Sequence, residues 1–476
     1  GLATLQVLDD EDLIGNAARR GEQLRAALAP LVERYDQLAQ VNSKATNNSQ
    51  TIHCGDIETN YTLEKALTVK RTADMIGRYA ELLPPDEAGR CVFRTPKMVL
   101  AVGEAECAAL RRRFETFSPH FAAMEWLEPE QIAEWEPAVA LLNGRPRPEP
   151  IAAIGIRRSP TAVDYEALSE SFLASAQADL DATGRRLDLR LQTSVLSIEP
   201  EGEDPAAPSG FRVEIEGPEG RHWLRARQVV VNAGAHSLLL AQQMGFGLEY
   251  SCLPVAGSFY FTPDLLRGKV YTVQNDRLPF AAIHGDPDVR APGKTRFGPT
   301  ALLLPLLERR RSGSFWEFLR VLRLDWSVLT VFWQLFVDGA IRRYILRNLL
   351  FELPWLGRRL FLQDARKIVP GMTLADLRVA HGYGGIRPQL IDRRGRRLML
   401  GEVSIPAVPG LIFHVTPSPG GTCCLGMARK DLKAIATRLG CQVDWARLAR
   451  ELLSSGDGVR PLAEAATGPV AACGDG

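Results

Sequence analysis

The fifteen residues from Asn47 to Tyr61, NNSQTIHCGDIETNY, carry the most information about the fold of this chain. They include four amides, three hydroxyls, a histidine and a tyrosine, and their only aliphatic side chains are two isoleucines. A segment this polar does not form a core strand, because each amide or hydroxyl buried without a partner costs about 1–3 kcal/mol. It is a loop, and two interpretations remain: a solvated surface loop, or a polar loop that lines a binding site.

The elements on either side of this loop favour the binding site. Upstream, Leu31–Asp36 has the pattern of a strand that ends on acidic residues, as the second strand of a dinucleotide-binding unit does. Downstream, Leu63–Tyr79 has the periodicity of an amphipathic helix. A polar loop between two such elements is where the ring of a flavin would lie.

The same loop carries a family resemblance. The run from Asn47 to His53 and the phrase DIETNYTLEK, Asp56–Lys65, resemble malate:quinone oxidoreductases, and the resemblance extends from about residue 32 to about residue 440. These are FAD-dependent peripheral membrane enzymes that oxidise malate to oxaloacetate and pass the electrons to quinone. They belong to the wider group of flavoproteins similar to glycine oxidase and D-amino-acid oxidase. The resemblance implies an α/β plus α+β fold, with a Rossmann-like FAD-binding domain and an antiparallel-sheet substrate domain.

The length of 476 residues exceeds that of a usual single core, so two domains are expected. The resemblance places a discontinuous FAD-binding domain at 35–85, 151–248 and 395–440, and a substrate domain at 86–150 and 249–394. Residues 1–34 are an atypical N-terminal segment, and residues 441–476 are a C-terminal helix followed by a mobile tail.

Composition excludes several classes of function. A net charge of +1 gives no reason to expect nucleic acid as a partner. The eight cysteines have neither CxxC nor Cys/His spacing, which indicates a reducing compartment and no metal site. The apolar run at 327–337 is about half of the roughly 20 residues that a membrane span needs. With the resemblance, this predicts a cytoplasmic protein attached to the inner face of the cell membrane.

The N-terminus lacks the strand, G-x-G-x-x-G turn and helix that hold the FAD pyrophosphate in such flavoproteins. A strand–helix–strand interpretation of residues 4–8, 13–29 and 31–35 is still open. Its first turn, however, is the acidic run from Asp9 to Asp12. Each carboxylate placed about 4 Å from a negative charge of the diphosphate would cost about 4 kcal/mol at an effective dielectric of about 20. This turn is not a phosphate cradle, so weak FAD binding is expected.

Residues 1–34 instead resemble the opening of the small C-terminal domain of class III, PLP-dependent aminotransferases. This resemblance indicates a fusion or a misjoined reading frame, and a divergent N-terminus is the alternative. A PLP enzyme is disfavoured, because the domain with the catalytic lysine would have to lie upstream.

The resemblance assigns cofactor-binding residues to several places. Glu33 ends the second strand, where it would bind the adenosine ribose. Val195 would place its backbone against the adenine, and Ala233 and Gly234 allow the backbone to approach the cofactor closely. A helix start near residue 420 would stabilise negative charge at the N1–C2=O edge of the reduced flavin. The remaining positions are Asn47, Asn48, Ser49 and Gln50 in the loop, and Thr416, Gly420, Gly421 and Thr422 in the turn.

Oxidation of a 2-hydroxy acid transfers the hydroxyl proton to a base and a hydride from carbon to flavin N5. Histidine suits the base, because the base must be neutral near pH 7. The resemblance makes His284 the first candidate, with Asp286 available to orient its ring, and His53 the second. A structural hydrogen-bonding role is the alternative for either histidine.

The substrate carboxylates require a cation of fixed geometry, and the fork of arginine is the usual choice. Arg387 is the predicted clamp and is counted among the catalytic residues. Tyr383, Arg296 and Tyr260 are predicted to assist in binding the substrate.

Residues 315–362 differ in character from the rest of the chain. They hold four of its eight tryptophans, together with several phenylalanines and seven arginines. Aromatic side chains with arginine, in a segment too short and too charged to span, are typical of helices that lie in the bilayer interface. A core helical hairpin or a dimer interface is the alternative.

The predicted activity is therefore FAD-dependent oxidation of malate with transfer of electrons to membrane quinone. An enzyme like L-2-hydroxyglutarate dehydrogenase, or another 2-hydroxy-acid flavin oxidoreductase, is the nearest alternative. The alternative from another class is a non-catalytic membrane-associated protein that has lost FAD binding.

Overall fold

A computed structural model describes residues 2–6, 28–274, 283–353, 355–399, 401, 403–416 and 419–453. The helix predicted at 13–29 lies outside these residues, apart from its last two positions, which belong to a strand. The tail predicted near the C-terminus lies outside them from residue 454 onward.

Strands and helices follow one another along the whole of the described chain. The strands are β1 Leu2–Gln6, β2 Leu28–Glu33, β3 Val92–Val102, β4 Glu125–Leu127, β5 Leu141–Leu142, β6 Arg145–Pro146, β7 Ile151–Val163, β8 Arg186–Arg190, β9 Ser194–Glu201, β10 Gly210–Gly217, β11 Gly220–Ala226, β12 Gln228–Asn232, β13 Tyr250–Ala256, β14 Tyr260–Pro263, β15 Lys269–Thr272, β16 His284–Pro287, β17 Lys294–Gly298, β18 Leu302–Leu303, β19 Arg378–Val379, β20 Ile386–Asp392, β21 Arg397–Leu398, β22 Val403–Ile405 and β23 Leu411–Val415. The α-helices are α1 Leu63–Leu82, α2 Pro85–Cys91, α3 Glu104–Phe117, α4 Pro129–Trp135, α5 Pro137–Ala140, α6 Tyr165–Ala182, α7 Ala235–Gln243, α8 Ser314–Leu322, α9 Trp326–Val337, α10 Gly339–Phe351, α11 Leu356–Ile368, α12 Gly420–Leu439 and α13 Trp445–Leu452.

The first sheet has the strand order β22-β23-β12-β1-β2-β8. β12 runs parallel to β23 and β2 runs parallel to β8, and Val229–Val231 of β12 are buried, as expected for a parallel strand covered on both faces. Leu2 pairs with both Glu33 and Asn232, which are the last residues of β2 and β12. The carboxyl ends of these two strands therefore lie at the same edge of the sheet. Open α/β sheets bind their ligands at this edge.

Both described parts of the N-terminal segment are strands, but the direction of the first does not match that of a dinucleotide-binding unit. The first strand of a dinucleotide-binding unit runs parallel to its neighbours, so that the turn after it meets the phosphates. Here β1 runs antiparallel to β2 and to β12. It ends at Gln6 beside Gln228, at the edge of the sheet opposite Glu33. β1 therefore lies where a first strand would lie, but it ends at the wrong edge.

The largest sheet has the order β19-β14-β17-β16-β15-β3-β7-β4. Different helices pack against its two faces. Side chains alternate between the faces along each strand. Met98 and Leu100 of β3 pack in one hydrophobic cluster with α4, α5 and α11. Val99 and Ala101 pack in another cluster with α1 and α3. Lys97, two residues before Val99, is buried on this second face.

Antiparallel strands complete the fold. β18, β13, β20 and β21 form a four-stranded sheet, and β11, β10 and β9 form a three-stranded sheet. A Rossmann-like sheet combined with antiparallel sheets is the predicted fold class, which is confirmed. The predicted domain boundaries stay a prediction.

The aromatic segment folds as the four consecutive helices α8 to α11. Val328 and Val331 of α9 pack into the same hydrophobic cluster as Leu390 and Ile391 of β20. α9 is therefore held on the molecule by one face. Among the described residues, every helix is too short or too polar to cross a membrane.

Candidate active site

The polar loop that begins at Asn47 is buried at its centre, so the surface-loop interpretation is wrong. Gln50 has no exposed surface, and its amide donates to the Ala45 carbonyl at 2.9 Å and accepts from the Val289 N–H at 3.1 Å. Thr51 accepts from Lys269 Nζ at 2.8 Å and from the Tyr271 hydroxyl at 3.3 Å. Both buried polar side chains thus have partners, which removes the cost of burying them.

The register of the large sheet decides which side chains face this loop. Tyr271 of β15 pairs with His284 of β16, and Asp286 pairs with Arg296 of β17. Since paired residues share a face and every second residue returns to it, Lys269 lies on that face too. The structure thereby brings Lys269, Tyr271, His284, Asp286 and Arg296 together.

His284 lies in the middle of this face. Its ring stacks on Tyr271 with ring centres 4.6 Å apart and an interplanar angle of 22°. Its Nε2 is 3.6 Å from Asp286 Oδ1, which is longer than a hydrogen bond. The other oxygen of Asp286 lies 3.0 Å from Lys269 Nζ and 3.4 Å from Arg296. Stacking on Tyr271 therefore orients the imidazole, rather than the expected contact with Asp286.

His53 has a different environment. Its Nδ1 lies 3.1 Å from Glu58 Oε1, and its backbone N–H donates to the Thr422 hydroxyl at 3.1 Å. Burial would raise the pKa of Glu58, but the hydrogen bond and the charge of His53 lower it below its usual value. His53 and Glu58 form a histidine–carboxylate pair beside the start of α12. Both predicted histidines are thus in the site region, and neither prediction is tested by this geometry alone.

Arg387 reaches the site from the four-stranded sheet, where it pairs with Val255. Burial lowers the pKa of its guanidinium, and the hydroxyls of Tyr344 and Tyr271 oppose this shift. In the described part of the chain, no carboxylate forms an ion pair with Arg387. A partly buried guanidinium near Tyr271 and without a carboxylate is suited to an anionic ligand.

Arg296 and Tyr383 have protein partners of their own. Arg296 is fully buried between Asp286 and Asp288, and it donates to the carbonyls of Asn48 at 3.2 Å and Ser49 at 2.9 Å. These contacts favour a role in holding the polar loop on the sheet. The Tyr383 hydroxyl donates weakly to Asp288 at 3.4 Å, and burial raises its pKa to about 12. Both remain predicted substrate-binding residues.

The prediction that Tyr260 binds substrate is wrong. Tyr260 pairs with Phe297, whose neighbour Arg296 faces the site, so the phenol lies on the opposite face of the sheet. There it stacks on Phe361 at 4.2 Å, and its hydroxyl donates to the Phe351 carbonyl at 3.3 Å. Tyr260 is a core residue.

The predicted cofactor residues lie along the ligand-binding edge of the first sheet. Glu33 is buried at the end of β2, and its carbonyl accepts from Thr193 N–H at 2.9 Å, which places Val195 two residues away. Ala233 and Gly234 follow β12, and Gly234 has a φ of +59° with open space where a Cβ would lie. Thr416 follows β23 at the same edge.

The first residues of α12 lie very close to the side chains of neighbouring elements. A Cβ on Gly420 would lie 2.7 Å from the side chain of Thr416, and one on Gly421 would lie 2.7 Å from the Tyr165 ring. The Tyr165 hydroxyl donates to the Thr51 carbonyl at 2.7 Å. Glycine is therefore required at both positions for the helix start to sit beside the polar loop.

Sequence reasoning missed four residues of this site: Lys97, Lys269, Tyr271 and Tyr344. A signal existed for Lys97, which directly precedes the apolar run Met98–Val102 of β3, where only a paired charge is tolerated. Lys97 pairs with Asp56 at 2.8 Å, and Lys269 pairs with Asp286. Tyr271 and Tyr344 carried no such signal.

Comparison with solved structures defines the class of protein. The fold is similar to that of L-α-glycerophosphate oxidase from Mycoplasma pneumoniae with FAD bound, with a TM-score of 0.55 and 16% identity, covering 87% of this chain and 88% of that one. It is also similar to glycine oxidase from Geobacillus kaustophilus, with a TM-score of 0.54 and 16% identity, covering 91% of this chain and 94% of that one. The chain has the fold of the FAD-dependent oxidoreductases.

Comparison of sequences gives the family. A family model of malate:quinone oxidoreductase matches residues 25–325. A probable malate:quinone oxidoreductase of Campylobacter jejuni is 45% identical over 429 residues, covering 89% of this chain and 92% of that protein. The malate:quinone oxidoreductase of Helicobacter pylori is 44% identical over 425 residues, covering 89% and 91%. The chain belongs to the malate:quinone oxidoreductase family, which confirms the predicted enzyme class and FAD cofactor.

The described residues suit the flavin ring and the ribose of FAD better than they suit its diphosphate. The glycine start of α12 and the polar loop suit the flavin ring, and Glu33 suits a ribose at the end of β2. Between Glu33 and Asn232, where the diphosphate would need a glycine turn, the described chain has Leu2 at the start of a reversed strand. No described residue forms a phosphate cradle at that point.

Proposed function

We propose that this chain oxidises (S)-malate to oxaloacetate and passes the electrons to a membrane quinone. The observation that carries this proposal is the Arg387 guanidinium, which lacks a carboxylate partner within the described chain and lies near the Tyr271–His284 stack. A substrate carboxylate would supply the missing negative charge. Membership of the malate:quinone oxidoreductase family supports malate as the dicarboxylate.

In this proposal His284 takes the hydroxyl proton of the substrate at a ring nitrogen, while Tyr271 fixes the plane of the imidazole. Arg387 binds a carboxylate through its two-pronged guanidinium, which sets the orientation of the carbon that is oxidised. FAD, when bound, supplies the hydride acceptor and the route of the electrons to quinone. Lys269 and Arg296 neutralise Asp286, so that no unpaired carboxylate repels the substrate.

The acid that is oxidised is tested by assaying malate and L-2-hydroxyglutarate side by side with a soluble quinone analogue. The expected result is a higher kcat/KM for malate. A higher value for L-2-hydroxyglutarate would assign the activity to an enzyme like L-2-hydroxyglutarate dehydrogenase. Reduction of the analogue by neither acid, with flavin bound, would reject both substrates.

Replacement of Arg387 by lysine is expected to raise KM for malate at least tenfold, or about 1.4 kcal/mol, because the charge remains but the fork is lost. Flavin content should not change. Arg212→Lys is the control, since Arg212 is an exposed residue of β10 that pairs with Glu199. A KM within twofold of the parent protein would remove Arg387 from the site.

Attachment to the inner face of the cell membrane is part of the same proposal. Thirteen of the eighteen large apolar side chains exposed in the described chain fall between Trp316 and Trp355. On α9 the outward residues include Trp326 and Trp333, which are 84% and 68% exposed, while the helix has no charged residue. Exposed apolar patches of this kind mark binding surfaces, and tryptophan favours the bilayer interface.

Replacement of Trp326, Trp333 and Phe336 by serine is expected to move the protein from the membrane fraction to the soluble fraction. Each change removes apolar surface worth about 2 kcal/mol on burial. The matched control replaces Trp223 and Trp445, which are exposed outside this patch, by serine. Sedimentation of the triple variant with membranes, at an unchanged melting temperature, would favour the alternative of a core helical hairpin or a dimer interface.

A further inference from the structure

We propose that the arginine turn, Asp392–Arg397, binds the headgroups of anionic phospholipids beside the exposed aromatic face of α9. The sequence of this turn is DRRGRR, and it joins β20 to β21 outside the aromatic segment. The inference rests on the proposed membrane attachment and adds the class of lipid that the surface selects.

The backbone of the arginine turn is fixed by its own aspartate. Asp392 Oδ1 accepts from the N–H groups of Arg394 and Gly395 at 3.0 Å each. Arg396 has a φ of +49°, which closes the turn. The side chains of Arg394, Arg396 and Arg397 are all exposed. The turn therefore presents three guanidinium groups from a rigid base.

Arg393 fixes the arginine turn to the start of α9. Its guanidinium donates to Asp325 and, at 2.6 Å, to the Leu248 carbonyl. Asp325 is the N-cap of α9, accepting from Ser327 N–H and Val328 N–H at 3.0 Å each. The next residue in the chain is Trp326, whose side chain is almost fully exposed.

A shallow cleft of about 320 Å³ joins the two surfaces. It is lined by Leu248, Glu249, Asp325, Ser327, Arg393 and Arg394. Arg394 thus lines the same cleft as the residues on either side of Trp326. An aromatic side chain inserted at the level of the acyl chains would place these arginines at the level of the phosphates.

The charges around this cleft are unbalanced. The four arginines of the turn, together with Arg320 and Arg323 shortly before Asp325 in the chain, outnumber the three carboxylates of Glu249, Asp325 and Asp392. Asp325 and Asp392 are already used as caps. In the part of the chain that the structure describes, the guanidinium groups of Arg320, Arg323, Arg394 and Arg396 form no ion pair.

This excess of positive charge points to an anionic partner, and its position beside an apolar surface points to lipid. Arginine binds phosphate through paired hydrogen bonds, and basic clusters next to apolar anchors are attracted to acidic membranes. The aromatic face alone would bind any bilayer. The arginine turn supplies the preference for acidic headgroups.

The test compares binding of the full chain to vesicles of phosphatidylcholine and of phosphatidylcholine mixed with phosphatidylglycerol. We expect at least tenfold tighter binding to the mixed vesicles, with the preference reduced by salt because exposed charges are screened. The variant R394Q/R396Q/R397Q should bind both vesicles equally, and as tightly as the parent chain binds phosphatidylcholine. Its reduction of a soluble quinone analogue should be unchanged.

The matched control is R212Q/R221Q/R225Q, which removes the same charge from exposed positions of β10 and β11. It should keep the preference of the parent chain. If the parent chain binds both vesicles equally, or the turn variant keeps its preference, the inference is overturned while membrane attachment stands. If the parent chain binds neither vesicle, the attachment proposal fails and the inference fails with it.

Discussion

Purified as it stands, the chain is expected to hold well below one FAD per molecule and to lose that FAD on dilution. In a dinucleotide-binding fold the diphosphate is held by glycine-turn N–H groups and by the positive end of a helix. In this chain the acidic run from Asp9 to Asp12 replaces the glycines in the sequence, and β1 ends at the edge of the sheet opposite Glu33. The residues that suit the ring and the ribose are present, but among the described residues none would cradle the diphosphate.

The measurement is the flavin absorbance of the purified protein before and after dilution and gel filtration. Grafting a strand, a G-x-G-x-x-G turn and a helix in place of residues 1–30 should restore both stoichiometric flavin and malate oxidation. A graft with the same strand and helix but three acidic residues instead of the glycines is the control. Stoichiometric, non-dissociating FAD in the chain as written would contradict the prediction, and its complete absence would favour a non-catalytic protein.

Replacement of His284 by asparagine is expected to lower kcat for malate by roughly 10²–10⁴-fold, the usual contribution of a positioned general base. Asparagine keeps hydrogen-bonding capacity and similar size but does not accept a proton at neutral pH. Because the base must be neutral, kcat/KM of the parent enzyme should fall on acidification. This fall of kcat/KM at low pH, the acidic limb of the pH profile, should be absent in the variant.

His53→Asn and His120→Asn are the comparisons. His120 is exposed on a 3₁₀-turn and should leave kcat unchanged. If His53→Asn, rather than His284→Asn, abolishes the acidic limb, the base is His53 and its pairing with Glu58 is the orienting contact. These measurements are made on enzyme reconstituted with saturating FAD, so that loss of flavin is not mistaken for loss of the base.

The sequence by itself determined the family and the kind of surface. The polarity of the loop at 47–61 excludes a core strand and its flanking elements favour a binding site, while its burial with partners at Gln50 and Thr51 is seen in the structure. The composition of the segment at 315–362 sets it apart, since it holds four of the eight tryptophans and seven arginines, but its exposure is shown only by the structure.

Tertiary structure alone decided which side chains meet. Tyr271, His284, Tyr344 and Arg387 come from two sheets and a helix, and no periodicity relates positions so far apart. The face on which Tyr260 lies follows from the register of β14 against β17, and a shift of one residue would reverse it. The direction of β1 is decided in the same way, because strand pairing satisfies the backbone equally in parallel or antiparallel orientation, and only the completed sheet selects one.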